Sequence, residues 1–242
     1  MKSLFMKKLF FSFVFLFFSI VLFAQKVVND LNAEVRQIGS FHAVSISNAF
    51  DVIITQSGQE ALAVSATHKD DIQHIKTEVS NGTLKIWFDD KKKFWPKNRK
   101  LKAYISVKTL DAIKVSGASG IKIDGELTAA DMKLELSGAS DMDGKLIISG
   151  KLNAHLSGAS DVEISGSANE VTIDASGASD VKAFDFKTNN CSIDASGACT
   201  VRITVDKELS AKLSGASSVS YKGSGMIKDI KTSGASSVSR KS

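Results

Sequence analysis

Ser157-Gly158-Ala159-Ser160 is one of seven near-identical tetrapeptides, which begin at Ser116, Ser137, Ser157, Ser176, Ser196, Ser214 and Ser233. The only internal change is Cys199, which replaces the fourth Ser of its copy. Successive copies lie 21, 20, 19, 20, 18 and 19 residues apart. A period near twenty is the length of one coil in a stacked, quasi-one-dimensional fold. With the first Ser as position 0, position −3 holds Ile113, Leu134, Ala154, Ile173, Ile193, Ala211 and Ile230. Position −1 holds Val115, Leu136, Leu156, Ala175, Ala195, Leu213 and Thr232, and the residues between them are polar or charged. That alternation predicts a strand running into the tetrapeptide with one face buried. Position +5 is apolar in every copy (Ile121, Met142, Val162, Val181, Val201, Val219, Val238) and position +6 is mostly polar, so a second half-buried strand leaves it. The tetrapeptide is then a corner. Gly supplies a positive φ or a close backbone approach there, and Ala and Ser are small enough to stack. The segments closing each coil vary in length, as solvent-facing turns do. The expected class is all-β: a short parallel β-helix or solenoid over residues 101–242, preceded by a small β module at 33–100.

Before the first corner the pattern is also strand-like. Phe41–Ser47 and Asp51–Gln56 alternate, and Ala61–Ala66 is a third short strand. Lys69-Asp70-Asp71-Ile72 reads as a helical turn. Two alternating runs flank Asn81-Gly82, the pair favoured in a type I′ hairpin. The module is placed to cap the N-terminal end of the stack.

Residues 1–24 have the parts of a secretory signal peptide: Lys2, Lys7 and Lys8, then an apolar run from Leu9 to Phe23, with a cleavage point at Ala24-Gln25. Leu22 is large for the −3 position, which leaves the cut itself open. The run is short for a membrane span, which takes about 20 residues, and the chain is expected in the periplasm, on the outer-membrane surface or outside the cell. Membrane contact is expected only through this leader. Removing it lowers the formal charge from +5 to +2, so the basicity does not point to nucleic acid.

Residues 89–100 are rich in Lys and Arg, with Phe94 and Trp95 among them. Lys91, Lys92, Lys93 and Trp95 are candidate contacts for an anionic glycan, a lipid headgroup or nucleic acid, although a solvated loop is the simpler expectation.

The Phe41 strand with Asp51-Val52-Ile53-Ile54, the Asn81-Gly82-Thr83-Leu84-Lys85-Ile86 hairpin and the serial Ser-Gly-Ala-Ser corners together resemble the head GIN domain family. Its members are labelled auto-transporter adhesins and occur mainly in secreted or envelope proteins of Bacteroidetes-type bacteria. The resemblance covers roughly Val35 to Ser239. It implies a repeat fold of β-helix type and an adhesin-like role.

Chemistry is sparse. Asp141, Asp161 and Asp180 recur just after the corner, and Asp174 and Asp194 recur at position −2. Asp161, Asp174, Asp180 and Asp194 are the candidate ligand contacts of the repeat. Such carboxylates could bind Ca²⁺ or serve glycoside chemistry. Yet their row also holds Lys114, Lys212 and Lys231, and the calcium-binding Gly-Gly-x-Gly-x-Asp nonapeptide is absent. The expectation is no catalytic residue, no metal site and no cofactor, with Ca²⁺ the one alternative kept open. A serine repeated in every coil is a structural serine, and Gly-x-Ser-x-Gly is not formed. His42, His68, His74 and His155 show no ligand spacing, and Cys191 and Cys199 are expected as buried thiols. The function expected is an exported, non-enzymatic, adhesin-like interaction protein of the envelope or cell surface that binds glycan or protein. The alternatives are a polysaccharide-acting enzyme or accessory subunit, and a purely structural envelope component. Nothing in the sequence sets an oligomeric state.

Overall fold

A computed structural model of the chain describes residues 30–89 and 99–242. The leader and the candidates Lys91, Lys92, Lys93 and Trp95 lie outside the described residues. The fold is nearly all β, a parallel solenoid of about six turns with a small sheet region before it. Among the described residues no helix is long and apolar enough to cross a membrane.

The repeat forms β8 (Ala112–Val115), β9 (Gly120–Ala129), β10 (Met132–Leu136), β11 (Asp141–Leu156), β12 (Asp161–Ala175), β13 (Asp180–Ala195), β14 (Thr200–Leu213), β15 (Ser218–Lys222), β16 (Met226–Thr232) and β17 (Ser237–Arg240). The long strands are several straight runs joined without a loop. β11, for example, bends at Gly144 and again between Ile148 and Lys151, where its register to its neighbours shifts. Each coil therefore has one run entering the corner, one leaving it and one beyond the bend. All coil-to-coil pairings are parallel, and they place like positions in ladders, such as Ile121, Met142, Val162, Val181, Val201 and Val219. Every member of that ladder is buried. Large and small residues are mixed in the entering rows, as in Leu134–Ala154–Ile173, and all three are buried.

The N-terminal strands continue the same ladders. β2 (Ala43–Ile46) pairs in parallel with β8 on one side and with β6 (Thr83–Phe88) on the other. β3 (Phe50–Gln56) pairs likewise with β9 and with β7 (Leu101–Val107). The chain thus lays down one coil, steps outward to lay a second behind it, then crosses back to start the repeat. Among the described residues the antiparallel pairings are β1 (Glu34–Arg36) with β4 (Ala61–Ala66), β4 with β7, and β5 (Ile75–Ser80) with β6, all on the outer side of that second coil. Lys69–His74 forms a 3₁₀ turn, and Asn81 and Gly82 both take positive φ in the hairpin.

At the corners the backbones nearly touch. The amide of Ala159 donates to the carbonyl of Gly138, one coil earlier, at 2.7 Å, and the same bond recurs in every coil at 2.7–2.8 Å. The fourth Ser turns inward. Ser140, Ser160, Ser179 and Ser217 are almost wholly buried, and each hydroxyl donates to the carbonyl of its own first Ser at 2.8–3.2 Å. Cys199 takes the same place, with its thiol 3.2 Å from the Ser196 carbonyl. Both cysteines are free and buried, and burial pushes the Cys191 thiol up to about 12.

Gly158 has φ of +80°, and a Cβ there would lie 2.4 Å from the Gly138 carbonyl oxygen. Gly158→Ala is expected to cost roughly 2–3 kcal/mol, from strain and from the parted backbones. Gly39→Ala, where a Cβ meets nothing within 4 Å, is the control and should leave stability unchanged. Thermal melts followed by circular dichroism should show a fall of roughly 5–10 °C for the first variant.

Candidate functional site

The run leaving each corner carries two outward rows. One is Asp51, Gly120, Asp141, Asp161, Asp180 and Thr200, and the other is Ile53, Lys122, Asp143, Glu163, Lys182 and Arg202. Neighbours in a row sit one strand spacing apart, about 4.8 Å. Asp141, Asp143, Asp161 and Glu163 therefore form a two-by-two block of carboxylates, with Lys122 on one side and Lys182 and Arg202 on the other. Asp180 is ion-paired to Arg202 at 2.7 Å, and Glu163 to Lys182 at 3.8 Å. Asp141, Asp143 and Asp161 are exposed and have no side-chain hydrogen bond or ion pair among the described residues.

Two shallow grooves of about 720 and 500 Å³ cross this face and share Asp143, Glu163 and Lys182. The larger follows the bend at the far end of the run. Coils differ in length there. β11 spends one residue, Gly144, whose absent Cβ would lie 2.4 Å from the Ile123 Cβ, whereas β13 spends several and pushes out Phe184 and Asp185. Phe184 is half-buried beside Ser165 and Arg202, and the Lys222 ammonium lies 5.1 Å from its ring centroid.

Asp174 and Asp194, the other sequence candidates, lie across the corner on the entering run. There they are members of a ladder of polar contacts: the ion pairs Lys114–Glu135 at 2.9 Å and Lys212–Asp194 at 3.2 Å, with the His155 ring 3.5 Å from Asp174 between them. The fold thus brings Asp161 and Asp180 together and separates them from Asp174 and Asp194. Among the described residues, no group of three or more His, Cys, Asp or Glu is placed to hold a metal ion. The carboxyls of Asp30 and Glu135 are both moved down. At Asp30, burial works upward but is outweighed by hydrogen bonds from Tyr104, the Asn32 amide and Ser65 and by nearby Lys102. At Glu135, hydrogen bonds from Lys133 and Lys114 hold the carboxyl at about 2. Neither shift makes the protonated acid that glycoside cleavage uses.

Two features escaped the sequence. The first is another corner, Ser47-Asn48-Ala49-Phe50, which stacks beneath Ser116-Gly117-Ala118-Ser119. The Ala118 amide donates to the Asn48 carbonyl at 2.7 Å, and Asn48 holds φ of +81° in place of Gly. Its signal was legible: Asn tolerates the left-handed region, and half-buried alternation flanks it on both sides. The second is Arg99. It binds Asp71 through two bonds of 3.0 and 3.1 Å and lies 4.6 Å over the Phe88 ring, so it anchors the return from the basic segment.

A sequence model of the family described as "Putative auto-transporter adhesin, head GIN domain" matches residues 40–225. Among solved structures, a putative adhesin from Bacteroides fragilis is 23% identical, with a TM-score of 0.79 over 86% of this chain and 96% of its own. A putative lipid binding protein from Parabacteroides distasonis is 19% identical, with a TM-score of 0.67 over 88% of this chain and 98% of its own. A putative adhesin from the same species is 18% identical, with a TM-score of 0.63 over 86% and 96%. These likenesses show the fold. No curated protein matches the chain by sequence.

The entering-run ladder has a defined acid sensitivity. Glu135 sits at about 2 when folded and near 4.5 otherwise, so its stabilisation is complete above pH 4.5 and is lost as pH falls towards 2. With solvent screening at this partly exposed pair the loss is about 1 kcal/mol. Glu135→Gln should lower the melting midpoint by roughly 2–4 °C at pH 7 and leave it nearly unchanged at pH 2. Melts across that range check the sign.

Proposed function

This chain belongs to the head GIN domain family, and we propose that it works as an exported, non-enzymatic cell-surface protein that holds a polar partner against the face leaving the corners. The observation that carries this is the carboxylate block. Like charges directly opposite one another on adjacent strands cost stability. Three of the four, Asp141, Asp143 and Asp161, have no cationic partner among the described residues to repay that cost. The entering-run face shows the contrast, since its acidic residues at the same position are matched by Lys or His. Residues that lower stability without a structural return are candidates for binding. A partner that supplies cations or hydroxyl donors would relieve the repulsion. The face is open and its grooves shallow, which suits an extended partner laid across several coils. Export is supported by the leader pattern and by the family's adhesin label.

The test compares the full chain with the triple variant Asp141→Asn, Asp143→Asn, Asp161→Asn. Saturable binding to intact cells and isolated envelope is expected for the native chain and should weaken about tenfold in the variant, a difference of about 1.4 kcal/mol. The variant should melt at the same temperature or slightly higher, because repulsion is removed. Binding that ignores the triple change would take the site off this face. Turnover of a soluble polysaccharide that the variant abolishes would make the protein an enzyme.

A further inference from the structure

We propose that the larger groove is a subsite for a neutral saccharide, with Phe184 as the platform on which a sugar ring stacks. The inference rests on the surface-binding reading above and gives one part of that face a ligand class.

The groove is lined by Asp143, Glu163 and Asp185 and by Lys145, Lys182 and Arg202. A polyanion finds no free cation among the described residues to hold it there, whereas the hydroxyl groups of a neutral ligand can donate to the carboxylates. The cations are largely occupied, since Lys145 holds Glu126 at 2.7 Å, Lys182 holds Glu163 and Arg202 holds Asp180. The groups left over are hydrogen-bonding ones. Asp143, Asp185 and the Ser165 hydroxyl have no side-chain partner among the described residues. Exposed carboxylates accept from hydroxyl groups, and a carbohydrate presents many. Between them lies Phe184, a half-buried ring in a mostly polar trough, and a sugar ring stacking on it takes the place of the Lys222 ammonium, which lies 5.1 Å from the ring centroid. The C–H face of a pyranose covers such a ring and removes apolar area from water.

The groove is also built rather than incidental. It exists because neighbouring coils spend different numbers of residues on the same bend: the registers slip between Asp143 and Lys145, between Glu163 and Gly166 and between Ala183 and Lys187. The ring's position is set by the backbone, as the Thr204 hydroxyl donates to the Phe184 carbonyl at 2.7 Å. Its volume of about 720 Å³ falls within the usual range for small-ligand sites.

The experiment titrates the ¹⁵N-labelled full chain with four neutral probes (cellohexaose, maltohexaose, mannohexaose and chitohexaose), with heparin hexasaccharide and hexalysine as charged probes. At least one neutral probe should shift the amides of residues 143–145, 163–165 and 184–185. Phe184→Ala should weaken that binding at least about tenfold with an unchanged fold by circular dichroism. Should Phe184→Ala fail to fold, the double surface variant Ser165→Ala, Asp185→Asn should show the same loss. Shifts confined to other residues, tighter binding of either charged probe, or full affinity in these variants would overturn the proposal. No binding of any neutral probe by a chain that still binds cells would overturn the saccharide subsite and leave the surface-binding reading standing. Loss of cell binding in the native chain would remove that reading itself.

Discussion

The bond from each corner alanine's amide to the glycine carbonyl one coil earlier, 2.7–2.8 Å long in every repeat, sets the geometry of the whole stack. Its donor and acceptor are backbone atoms, so any side chain at the glycine must enter the space between them. It follows that every Ser-Gly-Ala-Ser copy keeps glycine there, and the corner beneath the first copy uses Asn48, which tolerates the same positive φ. Once the corner is fixed, the runs on either side are fixed as well. Their backbones continue in register from it, and the apolar rows at positions −3, −1 and +5 fall into ladders without further instruction. The inward fourth serine completes the device by bonding the first serine's carbonyl in the same corner, leaving no buried hydroxyl without an acceptor.

This dependence explains what the sequence could and could not reveal. The corner repeats because glycine meets its geometry in every copy, and so the period, the two half-buried runs and the fold class are all visible in the letters. Asn48 was hidden because it solves the same problem differently. It accepts a positive φ at some strain and uses its side-chain oxygen to receive the Phe88 amide at 3.0 Å. The outward order of the N-terminal coils was hidden for another reason. Strand pairing between β2 and β6 spans a hairpin and a 3₁₀ turn, and alternation within a strand says nothing about which neighbour it meets. The split of the acidic candidates between two faces did follow from their positions relative to the corner. The order of neighbours along the −2 row followed too, and Asp174 does stand between His155 and Asp194.

The two outward faces on either side of the corner are built from the same residue types and behave differently. On the entering run each carboxylate at position −2 has a Lys or His within reach, even where Asp174 and Asp194 stand side by side, and Glu135 between Lys114 and Lys133 is the extreme case. On the leaving run, four carboxylates are adjacent and the cations stand at the edges. The faces differ both in composition, the leaving rows being richer in Asp and the entering rows in Lys, and in order along the stack, and both are free to vary: nothing in the corner or the core constrains an outward side chain. Function in such a fold is therefore written in the sequence of charges from coil to coil.

The bend beyond the leaving run is the second place where the chain has freedom, and there the freedom is in length. A corner that misses a residue breaks the stack, because its carbonyl no longer meets the next amide. A bend that gains or loses one only shifts register over a short stretch, after which pairing resumes, as it does from Gly166 and from Lys187. Extra residues are extruded outward, since the interior is already filled by ladders of buried side chains. Extrusion from one coil, two strands away from a glycine-shortened one, yields a ridge and a hollow on the same face. Phe184 and Asp185 are that ridge and Gly144 is the floor of that hollow. A solenoid with uniform bends would present a flat wall, so unequal bends are the means by which this fold acquires concave ground without disturbing its corners.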